Sequence, residues 1–126
     1  METEKIIERL KTFGYEYKEL EDEYSLDFAV SKITWHILNN INNSSIPEGL
    51  MFIAIDMVCA EFLKIKKSFG ELDNIDFEMI AQNIKLGDTN IQFVNEATPE
   101  QKFDAAIDYL LTGYESEFVR YRKLVW

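Results

Sequence analysis

Cysteine and histidine each occur once in this 126-residue chain, proline twice and glycine five times. A single thiol, Cys59, excludes an internal disulfide and gives no sign of a secreted framework. The single histidine, His36, has no cysteine or carboxylate at ligand spacing, so it is not half of a metal site. Cations are scarce too: 13 Lys and Arg stand against 23 Asp and Glu, a formal charge of −10. A surface of that sign repels phosphate and disfavours ordinary groove binding to DNA. Long apolar runs are missing. LMFIAIDMVCA, residues 50–60, contains Asp56 and falls well short of the roughly 20 residues of a membrane span, which predicts a buried helix. METEKIIERLK places acids ahead of its apolar residues, unlike a signal peptide. We expect a soluble protein made in the cytoplasm, with no membrane partner.

Signatures of chemistry are missing as well. The chain has no phosphate-binding loop, dinucleotide fingerprint or nucleophile elbow, and KLGDTN holds too few glycines to cradle a phosphate. The carboxylates crowd at Glu19, Glu21, Asp22 and Glu23, and again at Glu115 and Glu117, without the context of an EF-hand or metalloprotease. Such runs read as solvated faces. Cys59, within DMVCAEF, reads as a small buried hydrophobe and His36 as a structural residue, although only folding decides whether the two meet. We expect no enzymatic activity, no metal and no cofactor. Asp56 interrupts the most apolar helix and needs a partner there. A helix end, a backbone donor or a water at the core edge is the simpler reading. An arginine, even one from a neighbouring subunit, is the sharper one.

What is present is mostly helical periodicity. Ile6, Ile7, Leu10 and Phe13 predict a first helix over Thr3–Phe13, closed by Gly14. Leu26, Val30, Ile33, Ile37 and Ile41 predict a second, from Asp22 or Ser25 to Asn40. Phe28, Trp35 and Leu38 point elsewhere on it, so this helix is apolar on two sides, as a helix central to a bundle or shared with another chain would be. Pro47 in a first turn predicts a third helix from Ser45 or Ile46 to Ser68, the most buried element. Phe77, Ile80 and Ala81 suggest one short helical turn. Ile84, Leu86, Ile91 and Phe93 alternate with polar residues around Gly87-Asp88, which predicts a short β-hairpin over 82–94. Two strands alone are barely stable, so the hairpin must lean on something else. Thr98, Pro99 and Gln101 predict a capping box opening a helix that carries Phe103, Ala106, Ile107, Leu110 and Leu111 and stops at Gly113. The fold class expected is therefore mainly α: one domain over 1–126, a bundle of four to five helices with one hairpin and an extended C-terminal segment over 114–126. In that segment Arg120, Tyr121, Arg122, Lys123, Val125 and Trp126 combine cations with aromatics, the residue types of binding hot spots, and suit docking on an acidic partner.

Five stretches, in order, carry a likeness: IPEGLMFIAIDMVCAEFLKIKKSFGEL, IDFE, IKLGDTNIQF, TPEQKFDAAIDYLL and FVRYRKLVW. With their spacing they make residues 25–126 resemble the head–tail connector (adaptor) proteins of tailed phages and prophages of low-GC Gram-positive bacteria. The resemblance implies a structural protein of the virion neck, assembled in the host bacterial cytoplasm. It implies a ring of about a dozen copies with closed cyclic symmetry beneath the portal. That ring would dock on the portal by its C-terminal segment and bind a stopper or tail-completion protein below. Phage DNA would pass through without sequence-specific binding, helped by acidic copies that do not hold it. On this reading Phe28 and Trp35, with Ile91 and Phe93 of the hairpin, are candidate inter-subunit residues. Two other classes remain open. A stopper or tail-completion protein would be rich in β-structure. An acidic inhibitor that mimics DNA would stay a monomer or dimer and bind a basic host protein with strong salt dependence.

Overall fold

The computed structural model describes residues 1–88 and 90–123. They are mainly helical: α1 (Thr3–Phe13), α2 (Glu19–Ile41), a 3₁₀ turn (Glu48–Leu50), α3 (Met51–Ser68), α4 (Phe77–Gly87), α5 (Pro99–Thr112) and α6 (Glu115–Tyr121). α3 is the axis of the bundle. Its Ala54, Ile55, Met57, Val58, Cys59, Ala60, Phe62 and Leu63 are all buried, because α1, α2 and α5 pack around it. α4 closes the bundle against α5 and α1, and α6 lies on α2. Ile6, Leu10 and Phe13 of α1, Leu26, Ile33 and Ile37 of α2, and Phe103 and Leu110 of α5 fill the core between them.

Local signals explain most boundaries. Gly14 ends α1 with φ 106°, and its N–H reaches Leu10 O while that of Tyr15 does the same. A side chain there would be strained by that φ and would meet the end of Met79. Asn42, at φ 53°, ends α2 in the same left-handed way. The expected capping box of α5 is complete: Thr98 Oγ1 accepts from Gln101 N at 3.1 Å and Gln101 Oε1 accepts from Thr98 N at 2.9 Å. Pro47 precedes the 3₁₀ turn that leads into α3, so that helix starts later than its apolar run suggests.

The hairpin expected over 82–94 does not form, and no strand occurs among the described residues. Its first half is instead the end of α4. Asp76 caps that helix by accepting from Met79 N at 3.0 Å, and Ile80, Ala81 and Ile84 form its buried stripe. The alternation of Ile84 with Leu86 misled, since Ile84 is 1% exposed and Leu86 81% exposed. Helical spacing separates the two residues; a strand would have kept them on one face. Past Gly87 the backbone is extended at Asp88. Asp88 Oδ1 accepts from Asn90 N, and its Oδ2 accepts from the Tyr114 hydroxyl at 2.6 Å.

The C-terminal segment is not extended throughout. Glu115–Tyr121 form α6, and Phe118 is buried at its centre.

Candidate functional site

Among the described residues, the outer surfaces of the helices carry the functional reading. α2 is the element with the clearest outer face. Its core side holds Asp22, Leu26, Ala29, Ile33, Ile37 and Ile41. On the opposite side Leu20, Tyr24, Phe28 and Trp35 are 94%, 87%, 56% and 66% exposed. Steps of four, four and seven residues keep these four side chains within about a quarter-turn of the helix. Large apolar side chains scattered singly are ordinary, whereas these four share one face of one helix. Phe28 and Trp35 lie off the core stripe, in solvent, whereas Leu38, expected with them, is partly buried against the core. Leu20 and Tyr24 complete the stripe and were hidden in an acidic run.

The other two inter-subunit candidates differ. Ile91 is 2% exposed and belongs to the chain's own core, so it offers no surface to a neighbour. Its side chain shares one buried cluster with Ile80, Ile84 and Leu110, where removal from water stabilises it. Phe93 is partly buried on that core, with Lys85 Nζ 5.2 Å and Lys102 Nζ 6.0 Å from its ring centre.

Two of the expected docking residues, Arg122 and Lys123, sit against the far end of α2. Arg122 Nε donates to Asn40 O and Lys123 N to Ile41 O, both at 2.8 Å, while Asn42 Nδ2 donates to Lys123 O at 3.2 Å. α2 has no basic residue in its last turn. These contacts supply one cation, Arg122, and one backbone N–H, that of Lys123, to the carbonyls left open at its negative end. The Tyr121 ring lies over Gly49, where a Cβ would overlap the phenol. Arg120 is exposed, with Glu117 Oε2 at 3.6 Å. Val125 and Trp126 lie outside the described residues.

A third surface is the cleft between α1 and α3, with a volume of about 430 Å³. Arg9 Nε donates to Asp56 Oδ1 at 2.7 Å along one wall, and its second contact, to Oδ2, is 3.3 Å. The partner Asp56 requires is therefore an arginine, and it comes from the same chain. Burial alone would lower the Arg9 pKa, but the bond to Asp56 is the larger influence and raises it. Phe52, 83% exposed, stands at the same cleft.

His36 and Cys59 do not form a pair. His36 lies against α6, with Nε2 3.5 Å from Glu115 Oε1 and its ring edge-on to Phe118. Cys59 is enclosed on the α1 side of α3, its thiol directed at Ile6 O, 3.7 Å away. Burial pushes that thiol up, away from the reactive thiolate. Among the described residues no group of three or more His, Cys, Asp or Glu is placed to hold a metal. No helix among them is long and apolar enough to cross a membrane.

One acidic residue read as solvated is fully buried. Asp22 Oδ2 accepts from the Tyr15 hydroxyl at 2.7 Å and from Lys18 N at 2.9 Å. Lys66 Nζ lies 2.7 Å from Oδ1 and also meets Glu71. Burial would raise the Asp22 pKa, but Lys66, Tyr15 and the Lys18 amide together hold it below the ordinary aspartate value. The signal was in the spacing: Asp22 lies on the same helical stripe as Leu26, Ala29 and Ile33. No protein-family model matches this chain, and neither a curated protein nor a solved structure matches it.

Proposed function

We propose that this chain is a head–tail connector subunit: a structural protein that joins copies of itself into a ring beneath a phage portal. The observation that carries this reading is the outer face of α2, which leaves Tyr24, Phe28 and Trp35 in solvent opposite a filled core face. A ring subunit needs such faces, because closed rings are built by repeated contact between copies. The order of the stretches that resemble connector proteins supports the same reading, as does the mainly helical bundle. The bundle speaks against the β-rich stopper alternative.

In this proposal the ring links capsid to tail, and the DNA crosses it without being bound. The charge of −10 per copy suits a channel that must not retain DNA, since non-specific binding depends on basic groups. The segment from Arg120 to Trp126 is the proposed contact to the portal. In the free subunit Arg122 and Lys123 already hold the Asn40 and Ile41 carbonyls. Docking through the Arg122 side chain therefore competes with an internal contact, whereas Lys123 makes its contact through the backbone N–H and Arg120 is exposed on the surface. A stopper or tail-completion protein would bind the opposite side of the ring.

Mass photometry of the purified chain mixed with the portal ring from the same genome tests this. A shift of about a dozen protomer masses is the expected result. No shift, with a correctly folded chain and an intact portal, would remove the portal as partner and return the acidic-inhibitor reading.

A further inference from the structure

We infer that the ring contact is heterologous, with the outer face of α2 on one copy seated in the α1–α3 cleft of the next; this inference rests on the connector reading. A face that met its own counterpart would close at two copies, so a ring needs two different surfaces on each subunit. α2 and the cleft lie on different flanks of α3. Glu61 of α3 turns toward Lys32 of α2, whereas Asp56 and Cys59 turn toward Arg9 and Ile6 of α1.

The two surfaces also match in chemistry. The stripe on α2 offers Tyr24, Phe28 and Trp35, bordered by the exposed carboxylates of Glu23 and Asp27. The cleft offers the exposed ring of Phe52 over a floor of Ile55, with Lys5, Glu8 and the Asp56-paired Arg9 on the α1 side. Lys5 is more than half exposed and only loosely paired with Glu2 at 3.7 Å. Aromatic rings would meet Phe52 and Ile55 while Glu23 and Asp27 face Lys5, the one cation of the lining not held by Asp56.

Size fits as well. From the exposures of Leu20, Tyr24, Phe28 and Trp35, the stripe presents about 600 Å². One side of a stable interface needs about 800 Å². The stripe is longer than the cleft, whose α1 wall runs from Lys5 to Thr12, so Phe28 and Trp35 enter it while Leu20 and Tyr24 meet the surface beside it.

Two exposed single variants, Trp35→Cys and Phe52→Cys, test the pairing, with Cys59 left in place as a buried thiol. They are assembled on the portal ring singly and as an equal mixture, then treated with a short bismaleimide. The mixture is expected to give a covalent dimer joining the two variants, and neither variant alone should give one. The double variant should give a ladder of multimers. As a second reading, Phe52→Glu should abolish assembly on the portal although α2 is untouched. Dimers from Trp35→Cys alone would show α2 meeting α2 and overturn the heterologous pairing while leaving the ring. An assembled ring in which no mixture cross-links, or which tolerates Phe52→Glu, would overturn it too. Failure of the unmodified chain to assemble on the portal would instead sink the connector reading on which the pairing rests.

Discussion

The ammonium of Lys66, near the end of α3, lies 2.7 Å from Asp22 Oδ1 in the first turn of α2, and both side chains are almost wholly removed from solvent. Tyr15 and Glu71 join the same cluster, which ties the α1–α2 connection and the loop after α3 to one point. A buried pair of this kind is a weak source of net stability but a costly one to break by halves. Asp22→Ala leaves Lys66 with Glu71 alone and is expected to cost about 3 kcal/mol. Urea denaturation monitored by circular dichroism measures it. A loss under about 1 kcal/mol, typical of a surface site, would show Asp22 to be solvated after all.

The same cluster sets a pH dependence. The folded-state pKa of Asp22 is held below its unfolded value, so its contribution is present above the ordinary aspartate pKa of about 3.9. It is lost as pH falls through the depressed folded value. The stability gap between the unmodified chain and Asp22→Asn should therefore be widest near neutral pH and shrink in acid. Denaturant midpoints of both proteins at about pH 7 and about pH 3 check this. A gap that stays constant, or widens in acid, contradicts it.

α2 should separate stability from assembly. Ile37→Ala removes a fully buried side chain and is expected to cost about 2–5 kcal/mol. Tyr24→Ser and Trp35→Ser, on the outer face, should change stability by no more than about 0.5 kcal/mol while preventing ring formation. Thermal melts paired with sizing on the portal distinguish the two effects. Outer-face variants that melt like Ile37→Ala would mean that this face is packed within the subunit.

α4 makes a third contrast. Ile84→Ala should cost about 2–5 kcal/mol and Leu86→Ala almost nothing. Asp76→Ala, which loses the bond to Met79 N, should cost about 1 kcal/mol. Equal losses at 84 and 86 would favour the strand geometry and contradict the helix.

These contrasts also mark what the sequence could disclose. The α5 start was legible because its determinants, Thr98, Pro99 and Gln101, are neighbours in the chain and need nothing from the rest of the fold. The two faces of α2 were legible at Phe28 and Trp35 because helical spacing alone separates them from Ile33 and Ile37. The hairpin was misread because IKLGDTNIQF satisfies a period of two by coincidence. The decisive features, the Asp76 cap and the Phe77–Ile84 stripe, lie upstream of it. Ile91 became core through tertiary packing, which no local pattern announces. The Arg9–Asp56 pair spans 47 residues, and the partnership of Asp22 with Lys66 is similarly long-range, so neither could be read from local spacing. Legible or not, the surfaces left exposed by these packings are what the connector proposal uses.

The most direct measurement is hydroxyl-radical footprinting of Tyr24, Phe28, Trp35 and Phe52 in the free chain and in its complex with the portal. All four should be oxidised readily in the free subunit and strongly protected in the assembled ring, while Leu86 changes little. An assembled ring in which Tyr24, Phe28 and Trp35 stay as reactive as in the free chain would contradict the assignment of the outer face of α2 as the ring contact.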